Sequence, residues 1–317
     1  MSAILILNHA AGSVNGDRDA VLPEEVVAAF AEAGITVTLR ASAPDQLRAT
    51  LAAAVAARPS AIFVGGGDGT ISTAAGVLAG TGIPLGVLPL GTLNHFARDL
   101  GLPIDWKEAV AALAVAPTRA VDLGEVNGRI FVNNCSLGSY PEAVRHREKL
   151  RHEHGRGKWL AMALATFAVF RRLRRLRVRI DMPNTTFTLR TPFVFVGNNC
   201  YTGHVFDHSL RCCLDDGQLS IYTTSARRHF TLLRLVWQTL FRRIDAADAL
   251  DVRTTREAII TNLTSRPLPI AVDGELVQLQ APLRFRIRPG ALHVFAPAPS
   301  PTPAPALADG AGATQPR

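Results

Sequence analysis

Lysine is almost missing from this chain. Lys107, Lys149 and Lys158 stand among 34 basic residues in 317, and the rest are arginine. A glycine-rich phosphate loop of the GxxxxGK[ST] type needs a lysine in the right place, and none follows a glycine run here, so a P-loop is excluded. Cysteine is scarce too: Cys135, Cys200, Cys212 and Cys213 form no CxxC pair and no zinc-like spacing. That excludes a disulfide framework and a zinc ribbon, and it suggests reduced structural thiols in a cytosolic protein. No apolar run approaches the ~18 residues a membrane-spanning helix needs, so membrane contact is expected to be peripheral. The opening "MSAILILNHAAG" lacks a basic segment ahead of its short apolar run, and reads as a first strand, not a signal peptide. Aromatic residues make up 6% of the chain. No interleaved aromatic–basic RNA motif or recognition helix is visible, and no nucleic-acid partner is expected.

What is present is a globular composition, 48% hydrophobic and 19% charged, with net charge +8. Arginine suits bidentate contact with phosphate, and a basic excess suits phosphorylated or membrane partners. The first part of the chain alternates strand and helix signals. Ala3–Leu7, Ile35–Leu39, Ala61–Val64 and Pro84–Leu88 read as strands. Pro23–Ala33, Pro44–Ala57, Thr70–Leu78 and Leu93–Leu100 read as helices, the first with proline near its start and Gly34 beyond its end. Short apolar strands between helices predict a parallel sheet covered on both faces. After about Asp122 the pattern becomes a series of β segments, which predicts an antiparallel sandwich. Two helix candidates, Lys158–Leu176 and Arg227–Ile244, interrupt it. The expected division is therefore 1–122, 123–296 and a Pro/Ala-rich tail, 297–317, expected to be disordered.

The chemistry concentrates in "GGGDGT" (residues 65–70), which directly follows the apolar run "AIFV". A strand, then glycines, then a helix start makes an anion site: backbone can approach a phosphate, and free N–H groups carry positive potential. Asp68 would repel phosphates unless a divalent cation or a proton intervenes. The same six residues are equally a tight turn capped by Asp68 or Thr70. A second strand ends in "LPLGTLNHFARDLGLP" (88–103), and a third loop, "LNHAAG", follows the first strand. Parallel strands place such loops along one edge of the sheet, where ligands bind.

"GGGDGT" together with "PLGTLNHFARDLG" resembles the diacylglycerol kinase catalytic-domain family of lipid kinases, related to sphingosine and ceramide kinases. "FVNNCSLG", "VGNNCYTG", "LDDGQLSI" and "VDGE" follow in the family's order, so the resemblance covers residues 3–296. It implies an N-terminal α/β nucleotide-binding domain with a parallel sheet, a C-terminal antiparallel β-sandwich, and a site in the cleft between them. It implies ATP bound by Asn8, Gly12, Gly66, Gly67, Asp68, Gly69, Thr70, Gly91, Thr92 and Asn94. Asp68 would serve the reacting phosphates through Mg²⁺. A structural Mg²⁺ would lie on Asp216 and the carbonyls of Cys213 and Gln218. Glu275 would be the general base; from its residues alone, "VDGE" reads as an exposed hairpin turn.

The chain departs from the family in two places. The first loop lacks the usual Pro and Ser, with Ser13 the available substitute. His95 stands where many members carry Asp, and is read as orienting its loop. His204 and His208 lie four apart in a Gly/Asn-rich loop, a weak metal signal. Trp159, Met162, Phe167 and Phe170 trace an apolar face followed by Arg171, Arg172, Arg174, Arg175 and Arg177. Residues 158–177 therefore read either as an interfacial helix or as a packed helix with a solvated basic end. The expected activity is an ATP-dependent lipid kinase, cytoplasmic and peripherally membrane-associated, with a lipid substrate at the membrane surface. A homodimer is compatible with the sequence. An NAD kinase-like enzyme and a non-catalytic nucleotide- or lipid-binding regulator are the alternatives.

Overall fold

The computed structural model describes residues 3–8, 21–138, 175–201, 211, 213–224, 251–264 and 270–297. Gly12, Ser13, His204, His208, the Arg227–Ile244 helix candidate, residues 158–174 and residues 298–317 of the tail lie outside them.

The first half follows the alternation read from the sequence. Its elements are β1 (Ala3–Asn8), α1 (Pro23–Glu32), β2 (Val37–Ser42), α2 (Leu47–Ala56), β3 (Ala61–Gly66), α3 (Asp68–Leu78), β4 (Leu85–Pro89), α4 (His95–Asp99) and α5 (Trp106–Val115). β1, β3 and β4 are buried along their whole length. They stand in the parallel order β2-β1-β3-β4, as strands covered on both faces should. α1 starts with Pro23 and stops before Gly34, whose φ of +80 suits glycine. α3 starts two residues earlier than the sequence suggests, so Asp68 and Gly69 lie in its first turn and only Gly67 separates strand from helix.

The second half contributes β5 (Thr118–Val126), β6 (Arg129–Phe131), β7 (Asn134–Gly138), β8 (Leu176–Met182), β9 (Thr185–Thr191), β10 (Phe193–Asn198), β11 (Leu219–Thr223), β12 (Asp251–Thr255), β13 (Glu257–Asn262), β14 (Ile270–Val272), β15 (Glu275–Val277) and β16 (Leu283–Phe295). Leu176, expected at a helix end, opens β8. Pro192 divides "TFTLRTPFVFVGNN" into β9 and β10, which join different sheets. One antiparallel sheet runs β12-β11-β10-β7-β14-β15. Its inner residues Cys135, Leu137, Val194, Val196, Ile221 and Val272 pack on Val178, Ile180, Ile260 and Phe285 of the other sheet. That is the expected sandwich core.

The two halves are not separate at residue 122, which falls inside β5. β16 pairs antiparallel with β5 and β13 and, at Val294, parallel with β4, so among the described residues a single ten-stranded sheet joins the two halves. The register shifts between Arg288 and Leu292, around Pro289 and Gly290, where a bulge accommodates the missing proline N–H. Phe285 and Ile287 before the bulge lie in the sandwich core; Leu292, Val294 and Ala296 beyond it lie in the α/β core.

Candidate active site

Because β1, β3 and β4 are parallel, their carboxyl ends open on one edge, where the loops after β3 and β4 meet. Asn8, the last residue of β1, donates from Nδ2 to Thr70 Oγ1 at 2.8 Å, with both side chains buried. Thr70 therefore braces the end of β1 against α3. The N-cap residue of α3 is Gly67, and among the described residues no side-chain hydrogen bond caps the helix. Its first-turn N–H groups form the positively polarised end of a helix dipole.

The loop after β4 is shaped by Asn94. This residue sits in the left-handed region with φ +51. Its Oδ1 accepts the Gly91 N–H at 2.9 Å, and its Nδ2 donates to the carbonyls of Gly91 at 2.8 Å and Pro89 at 3.3 Å. Expected among the nucleotide-binding residues, Asn94 is buried and uses its amide to build the loop. A side chain at Gly91 would collide with Gly67 Cα and come within 2.8 Å of Asn94 Oδ1. The two glycine loops thus touch through bare backbone. Asp68 ties them again: its Oδ1 accepts the His95 N–H at 2.8 Å. Gly67, Asp68, Gly69 and Gly91 remain partly accessible around this junction, Thr92 is exposed, and Gly66 is buried at the strand end.

Glu275 reaches the same place from the sandwich. Asp273 and Gly274 have φ of +47 and +83, the two positive values of a type I′ hairpin turn. The "VDGE" segment is thus the hairpin turn that its residues suggest. Glu275, first in β15, pairs with Arg129 Nη2 through Oε2 at 2.9 Å. Its Oε1 lies 2.8 Å from where a side chain on Gly69 would begin, which places the carboxylate against the first turn of α3.

Three residues that sequence reading passed over hold this cleft together. Asp273 accepts from Ser72 Oγ at 2.6 Å and from the N–H groups of Val132, Asn133 and Asn134 at 2.8, 2.8 and 3.0 Å. Burial pushes its carboxyl above the ordinary range, while those four donors pull it back. Arg211 donates from Nε and Nη2 to Asp99 Oδ2, both at 2.8 Å, and from Nη1 to the Val132 carbonyl at 2.7 Å. The strip 132–134 therefore has its N–H groups on an anion bonded to α3 and a carbonyl on a cation bonded to α4. Asp122 accepts the Gly217 and Gly290 N–H groups at 2.7 and 2.8 Å, linking the "LDDG" loop to the bulge of β16. An aspartate in a DG turn was a visible signal for Asp273; nothing local marks Arg211 or Asp122.

Cys213, Asp216 and Gln218 lie together in the loop before β11. Asp216 is exposed, and the Gln218 carbonyl accepts the Asn199 N–H at 2.9 Å, leaving one lone pair. Among the described residues no three His, Cys, Asp or Glu side chains gather as a metal site. One carboxylate and two carbonyls is nevertheless an all-oxygen donor set, which fits Mg²⁺ if waters complete its shell.

A parallel α/β layer with glycine loops at its carboxyl edge, fused to an antiparallel sandwich that brings a carboxylate to those loops, defines a nucleotide-dependent kinase architecture. Residues 2–126 match the model of the diacylglycerol kinase catalytic domain, and residues 134–296 match the YegS C-terminal NAD kinase beta sandwich-like domain. The chain belongs to this lipid kinase family. It is 32% identical over 302 residues to the "Probable lipid kinase YegS-like" of Pseudomonas syringae pv. syringae (strain B728a), covering 93% of each chain. It is 33% identical over 263 residues to the "Diacylglycerol kinase" of Mycobacterium tuberculosis (strain ATCC 25618 / H37Rv), covering 79% of this chain and 81% of that one. A crystal structure of a diacylglycerol kinase from Bacillus anthracis str. Sterne superposes with a TM-score of 0.67 at 19% identity, covering 93% of this chain and 96% of that one, which shows the shared fold.

Proposed function

We propose that the protein transfers the γ-phosphoryl group of ATP to a hydroxyl of a membrane lipid such as diacylglycerol, with Glu275 accepting the hydroxyl proton. The observation that carries this reading is the approach of Glu275 to Gly69, which puts a carboxylate beside the N-terminus of α3. Phosphate binds well at such an end, and phosphoryl transfer asks mainly for positioning, charge neutralisation and a base at the acceptor. Gly67, Gly69 and Gly91 would let backbone approach the nucleotide, and Asp68 would hold a metal ion beside it. Mg²⁺, when bound, would neutralise phosphate charge at Asp68 and brace the loop at Asp216. Asn8–Thr70 ties the end of β1 to α3, and Asp68–His95 and Asn94–Gly91 hold the loops after β3 and β4 in register. No helix among the described residues is long and apolar enough to cross a membrane. Peripheral contact through the arginine-rich segment 158–177 would bring the cleft to its acceptor.

The test is incubation of the protein with γ-labelled ATP, Mg²⁺ and a total bacterial lipid extract in mixed micelles, with chromatography of both phases. Label in a phospholipid is the expected result, and its mobility identifies the acceptor. Label transferred to a soluble nucleotide instead, or no transfer at all, would overturn the reading.

A further inference from the structure

We propose that Arg129 is the positioning residue for Glu275, an inference that rests on the assignment of Glu275 as base. Both residues hold the same place in two hairpins. Arg129 is first in β6, after Asn127 and Gly128 with φ of +47 and +83; Glu275 is first in β15, after Asp273 and Gly274 with the same two values. A type I′ turn fixes the direction of the residue that follows it, so each tip presents one charge.

The tips are also cross-anchored. Asn127 donates from Nδ2 to the Gln280 carbonyl at 2.8 Å and accepts the Arg284 N–H at 2.7 Å, both on the chain that leaves the second hairpin. Asp273 in turn holds residues 132–134, on the chain that leaves the first. Through Ser72, one turn along α3 from Gly69, Asp273 also sets the second hairpin along the first turn of that helix.

The ion pair therefore forms between two points fixed by backbone. Its side chains are 42% and 55% exposed, and such a pair adds little to stability. What it does add is orientation. Glutamate has three rotatable bonds, and an exposed carboxylate with no partner would sample many directions. Arg129 takes Oε2, and Oε1 is left against Gly69, at the helix end where the nucleotide phosphates would bind. A guanidinium does this better than an ammonium because its planar fork sets a direction as well as a charge.

The experiment compares wild type, R129Q, R129K, E275Q and R129Q/E275Q by steady-state kinetics, scored as total label in the lipid phase of the same extract. R129Q should lower kcat on the order of 10- to 100-fold, the range for a misplaced reacting group. The KM for ATP and the melting temperature should stay near wild type, and R129K should recover part of the loss. In the E275Q background, R129Q should cost nothing further. Wild-type kcat in R129Q, an equal loss in both backgrounds, or a change confined to the KM for ATP would overturn the inference while leaving Glu275 as base. Near-normal kcat in E275Q would overturn the base assignment and this inference with it.

Discussion

Replacing Arg211 with methionine tests how the two halves are joined. The guanidinium side chain is 0% exposed, and the Asp99 carboxylate it holds is 8% exposed. R211M removes two bonds to Asp99 and the bond to the Val132 carbonyl, and it takes the cation off the face of Phe96, 5.6 Å away. Among the described residues, Asp99 then keeps only the Arg211 backbone N–H, at 3.2 Å. Breaking a buried pair by removing one partner leaves an uncompensated charge and costs about 3–5 kcal/mol. Removing both partners in R211M/D99L replaces the pair with apolar volume, and such replacements are often close to neutral. The double variant should therefore be more stable than R211M alone, and its cost well below the sum of the single costs. Urea denaturation of the four proteins at pH 7 measures this directly. A cost for R211M below about 1 kcal/mol, or additive behaviour, would refute the reasoning, because neighbours sharing a charge pair should couple by roughly 0.5–3 kcal/mol. Since α4 carries Asn94 and His95 at its other end, the KM for ATP should also rise in R211M.

G91A should push the two glycine loops apart, because the new methyl meets the backbone of Gly67 as well as the hydrogen-bonded Asn94 Oδ1. Overpacking costs about 1–3 kcal/mol, so nucleotide titration should show ATP affinity lower by on the order of 10- to 100-fold. Asp273 predicts a pH effect. Its folded-state pKa is raised by burial, so its contribution to stability is complete below the unfolded value of ~3.9 and is lost as pH rises through the folded value. The stability advantage of wild type over D273N should narrow from about pH 4 upward, and a gap in denaturation free energy that widens with pH would contradict this. D216A should abolish the Mg²⁺-dependent part of thermal stability; identical responses of wild type and variant to the ion would remove the proposed site.

Glycines after buried strands are local signals, and they were enough to place Gly66–Thr70 and the Gly91 loop on one sheet edge. The family resemblance gave Thr70 and Asn94 to the nucleotide; the fold also engages them locally, on Asn8 and on Gly91. Glu275 was reachable only through the family resemblance, because a DGE turn looks alike whether its carboxylate faces solvent or a helix end.

The sequence by itself determined the class of fold. Six-residue apolar strands need cover on both faces, alternating helices supply it, and the later β-rich stretch can bury one face only by pairing sheets. Tertiary structure decided everything that joins distant parts of the chain. Asp273 finds its backbone donors 139 to 141 residues earlier, and Arg211 finds Asp99 112 residues earlier. β16 returns to pair with β4, and its residues beyond Pro289 and Gly290 are buried in the first core. These outcomes depend on which buried charges and carbonyls meet once the cores have packed, and an unpaired polar group pays its full desolvation cost only then.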